Sequence, residues 1–289
     1  MSEWFSRSEA LLGGAAMARL QAARVLVVGV GGVGSWCAEA LVRTGLGKIT
    51  LVDDDVVAES NVNRQCPATA ATVGRAKVEA MAERQKAINP GCEVVGIGNR
   101  YPLAQEGDLP SEHRSIGASD HGRNFSILDY DVVVDAIDSV DCKAELILAA
   151  TEAGVPVVSS MGAALRLDPT KVKVTRFEKV EGDGLARALR QRFKKRQRFP
   201  KGKFSCVWSS EPPVTANLNS AVRFSRTFET TENAEGHKVL GSLISSASSP
   251  LRNSAFSVVS KGSLMQVTAT FGMCLASEAI RILTKGETK

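Results

Sequence analysis

A chain of 289 residues that is 44% hydrophobic is long enough to bury a full core and too apolar for a disordered tail. Its 36 Lys and Arg against 31 Asp and Glu, with a pI of about 8.9, exclude the strongly polyanionic and polycationic classes, so any nucleic-acid surface must come from local clustering of charge. The six cysteines (Cys37, Cys66, Cys92, Cys142, Cys206 and Cys274) form no C-x-x-C pair, which argues against a structural zinc clamp, and with no signal peptide read at the N-terminus they point to a reducing, cytoplasmic setting.

In chain order, Arg24 to Gly29 is an apolar run that ends in a glycine-rich turn. Ser35 to Thr44 then places Trp36, Ala40 and Leu41 at helical spacing before Gly45 stops the helix. Lys48 to Asp53 reads as a second buried strand. Thr72 to Ile88 reads as a helix with Val73, Ala76, Ala80 and Met81 on one face, closed by Asn89-Pro90-Gly91. Glu93 to Ile97 is a third strand, and residues 102 to 126 form a loop insertion. Asp131 to Ala136, a helix from Ser139 to Ala153 and Val155 to Ser159 resume the alternation. Beyond Ser160 come a strand (Lys171 to Phe177), a basic helix (Leu185 to Arg198), a short strand (Phe204 to Trp208), a polar segment (Pro212 to Asn253) and a last helix from about Gln266 to Leu283.

Strands alternating with helices predict a doubly wound, Rossmann-like α/β fold, with a mainly parallel sheet, helices on both faces and a C-terminal extension. Residues 1–160 form the nucleotide-binding core, and 161–289 continue the same domain with the basic helix at 185–203 and a variable segment at 214–256. Gly262 to Ser277 is an uncharged run of sixteen residues, shorter than the roughly 18 a membrane span needs, and reads as a buried helix.

Gly29, Gly31 and Gly34 satisfy G-x-G-x-x-G between a strand and a helix, and Asp53 stands nineteen residues past Gly34, where a carboxylate can accept ribose hydroxyls. That pattern predicts a nucleotide and does not separate NAD from ATP. The next stretch, Asp53 to Gln65 (DDDVVAESNVNRQ), does. It adds Asp55, Asn61, Arg64 and Gln65, and Lys77 follows, so two cations attend one nucleotide, more than a dinucleotide needs and suited to a triphosphate. Asp138 (DAIDSV), just beyond another strand, is placed to hold the magnesium that accompanies ATP.

The run GVGGVGSWCAEALVRTGLGKITLVDDDVVAESNVNRQ, with Lys77 and DAID after it, resembles the adenylating domain of the ThiF, MoeB and HesA superfamily. FSRSEALLG at Phe5, GAALRLDPTKVKV at Gly162, SCVWSSEPP at Ser205 and KGSLMQVTATFGMCLASEAIR at Lys261 are similar to its branch of tRNA threonylcarbamoyladenosine dehydratases. The resemblance implies ATP and Mg²⁺ as cofactors and adenylation of a carboxylate, on a tRNA carrying threonylcarbamoyladenosine beside its anticodon. It assigns Gly29, Gly31, Gly32 and Gly34 to the phosphates, Asp53 to ribose, Asn61, Arg64 and Lys77 to the phosphate chain, and Asp138 to the metal. It also matches Arg7 to an arginine that reaches the γ-phosphate bound by the neighbouring subunit of a homodimer, whereas read locally Arg7 simply decorates an amphipathic helix. Some relatives act with a cysteine desulfurase and some associate with membranes, including the mitochondrial outer membrane in eukaryotes. This chain departs from the branch at Met161 and at Asp183-Gly184-Leu185.

The alternative substrate is the C-terminal carboxylate of a ubiquitin-like or sulfur-carrier protein. Thioester chemistry would then fall to Cys206, which reads instead as a buried small hydrophobe. Arg187 to Lys203 carries nine Lys and Arg and no acid in seventeen residues. Its Arg187, Arg190, Arg192, Lys194, Lys195, Arg196 and Arg198 are therefore expected to lie along RNA phosphates, with a solvated surface as the other reading.

Overall fold

The computed structural model describes residues 3–102, 125–214 and 262–285. The chain divides into two units, 1–212 with 263–289, and 213–262; apart from Pro213, Val214 and Gly262 the second lies outside the described residues, as do most of the insertion at 102–126 and of the segment 214–256.

The first unit is one seven-stranded sheet in the order β3-β2-β1-β4-β5-β7-β6. Its strands are β1 (Arg24–Val28), β2 (Lys48–Val52), β3 (Glu93–Ile97), β4 (Val132–Asp135), β5 (Val157–Ser160), β6 (Val172–Arg176) and β7 (Ser205–Ser209). All neighbours are parallel except β6, which runs antiparallel to β7 at the edge. Strands buried on both faces need apolar residues at every buried position, which is what Val25–Val28 (VLVV) supplies after an exposed Arg24. Val25 and Val27 pack into one layer with α2 (Gly14–Ala22), α3 (Gly34–Thr44) and α7 (Met265–Thr284). Leu26 and Val28 pack into the other with α5 (Val140–Glu152) and α6 (Gly184–Arg196). A short α1 (Ser6–Leu12) precedes α2.

Some sequence expectations need correction. The helix expected over 72–88 begins only at Lys77, as α4 (Lys77–Ile88), because Gly74 turns the chain at φ +87 and Val56 and Ala76 form a β-bridge. Val73 is consequently exposed, and the buried face runs through Val78, Ala80 and Met81. On α3 the core face is Cys37, Ala38, Leu41 and Val42, and Trp36 and Ala40 lie at its margin.

The helix α7 is long and apolar enough to cross a membrane by length and composition. In this fold it buries Val267, Phe271, Leu275, Ala276 and Ala279 against the sheet layer. At Gly272 it comes so close to α3 that an added Cβ would stand 2.6 Å from the Val33 carbonyl oxygen and 2.8 Å from Trp36 Cβ.

Beneath the carboxyl ends of β4 and β5 lies a buried polar cluster. Lys143 Nζ of α5 donates to Asp135 Oδ2 at 2.7 Å and to Ser159 Oγ at 3.4 Å, and Ser159 Oγ donates to Asp135 Oδ2 at 2.6 Å. All three residues are fully buried, so the ammonium has exchanged water for one carboxylate and one hydroxyl.

Candidate active site

The site forms at the carboxyl ends of β1, β2 and β4, where the strand order reverses. Backbone packing requires two of the glycines. Gly29 holds φ +92, and a Cβ there would meet the Ala136 carbonyl oxygen at 2.6 Å. A Cβ on Gly34 would stand 1.8 Å from the Gly29 carbonyl oxygen, so that residue lets α3 start directly against the strand. The other two are different. Around Gly31 the nearest atom to an added Cβ is Gln65 Nε2 at 3.9 Å, whereas Gly32 is covered by the Arg64 Cγ at 3.3 Å, the Arg64 Cδ at 3.4 Å and Thr268 Cβ at 3.5 Å. At Gly31 the turn thus presents bare backbone to open space, the shape that admits a phosphate.

The expected polar residues gather around this turn. Asp53, at the end of β2, accepts hydrogen bonds from Val30 N at 2.6 Å and Asp55 N at 2.9 Å, which fixes the turn to the second strand. Burial raises its carboxyl above the usual aspartate range, and Lys77 opposes the shift. Lys77 is itself buried at the start of α4; its Nζ lies 2.5 Å from Asp55 Oδ2 and 3.8 Å from Asp53 Oδ1. Asn61 accepts from Ala58 N at 3.1 Å and closes a 3₁₀ turn that positions Arg64 and Gln65, whose N–H groups both donate to the Asn61 carbonyl. Arg64 lies along Gly32, with Nη1 donating to Ser60 O and Asn63 Oδ1 and its carbonyl held by Trp36 Nε1 at 2.9 Å. Gln65 is 7% exposed, and its Oε1 has no hydrogen-bond partner among the described residues. A buried acceptor beside an open glycine cradle fits a nucleotide that brings donors.

Asp138 is exposed just past β4, two residues from Ala136, whose carbonyl packs on Gly29 and whose methyl group packs on Gly34. Beside it is a residue that sequence reasoning missed. The Arg100 guanidinium is held above the usual arginine range, first by Cys142 and more weakly by the charges of Asp54 and Asp138. No motif marks Arg100, since it lies in the loop after β3. Carboxylates of Asp53, Asp54 and Asp55 also cluster, with ligand oxygens within 4.8 Å of one another, so among the described residues a divalent ion could be held by this cluster or, as a single carboxylate, by Asp138.

Two expected residue groups behave differently. Arg7 is exposed on α1, and no contact among the described residues brings it to the glycine turn. The basic helix needs a larger correction. Arg190 donates to the carbonyls of Phe177 and Val180 and stacks over the Phe177 ring at 4.9 Å. Arg192 pairs with Asp141 at 2.9 Å, Arg196 with Asp141 at 3.0 Å and with Glu145, and Arg198 with Glu145 at 3.5 Å and Glu152 at 3.4 Å. The acids that balance this stretch sit on α5, far away in sequence, so its composition alone looked uncompensated. Only Arg187, Lys194 and Lys195 of the seven have no partner among the described residues. Cys206 is fully buried, and burial drives its thiol pKa far up, which suits a core residue and disfavours a nucleophile.

The ThiF family model matches residues 5–289. The chain belongs to the ThiF family. Within that family it is 36% identical over 282 residues to the tRNA threonylcarbamoyladenosine dehydratase of Escherichia coli K12, covering 96% of this chain and 92% of that one. It is 38% identical over 214 residues to the protein of the same name from Bacillus subtilis 168, covering 74% and 77%. Among solved structures it superposes on the E. coli dehydratase TcdA in complex with ATP, with a TM-score of 0.69 and 34% identity over 96% of this chain and 93% of that one.

Proposed function

We infer that this ThiF-family protein is an ATP-dependent tRNA threonylcarbamoyladenosine dehydratase. The observation that carries the reading is the near full-length match to dehydratases of that name, one of them solved with ATP and with AMP, on a chain whose Gly31 turn is open to a phosphate. The carboxylate of the modified adenosine attacks the α-phosphorus of ATP, and pyrophosphate leaves. A nitrogen of the same modification then closes on the acyl-adenylate, giving up its proton as AMP departs, so the modification has lost the elements of one water. The ring-forming nitrogen is already tethered to the acyl group, so the step needs no protein nucleophile, in keeping with a buried Cys206.

The protein screens charge and excludes water. Backbone N–H groups of the turn over Gly31 and Gly32 face the phosphates, and Arg64 and Lys77 neutralise the chain as negative charge shifts to the leaving pyrophosphate. Asp53 and Asp55 hold the Lys77 ammonium in position, and Asp53 takes the ribose. A magnesium ion, held by Asp138, would supply further neutralisation of the triphosphate.

The decisive measurement is nucleoside mass spectrometry of modified tRNA incubated with protein and ATP. Loss of one water from the modified adenosine is expected, and pyrophosphate exchange stimulated by a small carrier protein instead of tRNA would overturn the reading. We also propose a homodimer in which Arg7 of one copy serves the nucleotide of the other. Arg7→Ala and Lys77→Ala, each inactive alone, should then recover part of the activity on mixing, and no recovery would remove Arg7 from the site.

A further inference from the structure

The loop that follows β5 carries an arginine that the chemistry above does not use. Arg166 is 3% exposed, yet its Nε and Nη1 are buried with no hydrogen-bond partner among the described residues. Its ionic contact among those residues is long: Nη2 lies 3.8 Å from Asp183 Oδ2. That carboxylate is already engaged, accepting from Gly162 N at 3.1 Å and, as the N-cap of α6, from Ala186 N at 2.8 Å. A guanidinium withdrawn from water with most of its donors empty is strongly unfavourable, and native structures rarely keep one without a ligand to satisfy it.

The backbone around it is strained and braced. Leu165, immediately before the arginine, sits at φ +61, in the left-handed region that a branched side chain rarely enters. Asp183 ties down the beginning of the loop through Gly162 N. Glu211 ties down its end, accepting from Leu167 N at 3.0 Å and Asp168 N at 3.0 Å. The loop leaves the carboxyl end of β5, the strand beside β4, whose own carboxyl end leads to Asp138. Neighbouring strands lie about 4.8 Å apart, so the arginine belongs to the same ligand-bearing edge of the sheet as the glycine turn.

We propose that Arg166 receives an anionic oxygen group of the RNA substrate, either the carboxylate that is to be adenylated or a phosphodiester next to the modified base. The proposal rests on the dehydratase reading. The guanidinium fork offers paired donors to a planar oxyanion, the braced loop fixes its direction, and the bound anion relieves the empty N–H groups. Arg166 acts as a specificity-determining residue for the acyl substrate and not for ATP.

The test uses the full chain with Arg166→Met, which keeps the volume and removes the charge, and Arg166→Lys, which keeps the charge and removes the fork. Steady-state kinetics are measured with modified tRNA and with the free modified nucleoside, and ATP affinity and thermal stability are measured in parallel. Arg166→Met is expected to raise KM for modified tRNA by about tenfold to a hundredfold, with ATP affinity unchanged and a Tm at or above that of the parent. Arg166→Lys is expected to fall between, and it decides the matter should the methionine variant not fold. A KM increase of equal size on the free nucleoside assigns the carboxylate, and an increase confined to tRNA assigns the phosphodiester. An unchanged KM on both substrates, or a lower Tm with KM intact, overturns the proposal and makes Arg166 purely structural. A parent enzyme that does not turn over modified tRNA defeats the dehydratase reading itself, an outcome visible before any variant is made.

Discussion

At the scale of single residues, the glycines of the nucleotide turn separate into two kinds, and substitution should reveal it. Gly34→Ala forces a Cβ to within 1.8 Å of the Gly29 carbonyl oxygen, so the strand-to-helix junction must open. The variant should lose about 3 kcal/mol or more in denaturant unfolding. Gly31→Ala meets nothing closer than 3.9 Å, so stability should hold to within about 0.5 kcal/mol. ATP affinity measured by calorimetry should nevertheless fall about tenfold, because the methyl group fills the space open to a phosphate. Equal effects of the two substitutions on unfolding would contradict this division. A second residue-scale prediction concerns Glu39, almost fully buried on α3 between Arg84 at 2.8 Å and Arg43 at 2.8 Å. Burial pushes its carboxyl up, but the two guanidinium groups outweigh burial and leave it below the usual glutamate range. A carboxyl depressed in the folded state contributes stability above its unfolded pKa of about 4.3 and loses that contribution as the pH falls through the folded value. Glu39→Gln should therefore lower stability by about 1–2 kcal/mol at neutral pH, with the deficit shrinking toward zero in acid, as followed by thermal melts across pH. A deficit that stays constant down to acid pH would show that charge is not its source.

At the scale of elements, α5 and α6 form a ladder of opposite charges, Asp141, Glu145 and Glu152 facing Arg192, Arg196 and Arg198. These pairs are partly exposed, and solvent screening limits their worth. Arg192→Ala with Arg196→Ala should cost about 1 kcal/mol of stability while leaving RNA affinity nearly unchanged. Arg187, Lys194 and Lys195 face no acid among the described residues. Replacing all three with alanine should leave the melting curve in place and reduce the slope of log affinity against log salt by up to about 3, as read by filter binding over a salt series. The opposite pattern, stability lost with the second set and salt slope with the first, would return the ladder to the RNA surface. The packing of α7 is a matter of the same scale. Its glycine at 272 lets two helices meet backbone to backbone behind the nucleotide turn, which explains how so apolar a helix is accommodated in the sheet layer.

At the scale of the molecule, the features written locally in the sequence were the legible ones. The alternation of buried strands and helices, the glycine fingerprint, the acid at 53 and the polar run to Gln65 all lie within short windows, so period and spacing suffice to place them. What depended on partners distant in sequence was not legible. The acids opposite the basic helix come from an earlier crossover helix, the reversal of β6 shows only in its pairing with β7, and the charge of Arg100 comes to bear on Asp54 and Asp138 from another loop. Arg166 could have been noticed as a charged residue between apolar neighbours just past a strand, yet that pattern usually marks a surface. Its burial is a property of the loop's two carboxylate braces, and both arrive from later in the chain. Lys143, closed in beneath the sheet with Asp135 and Ser159, has a wider mechanical consequence. One ammonium joins the last residue of β4 to the third residue of β5, and so acts as a tie rod between the two strand ends from which the loops of Asp138 and Arg166 emerge. Those loops therefore share one anchor, and slack introduced at that anchor would reach both together.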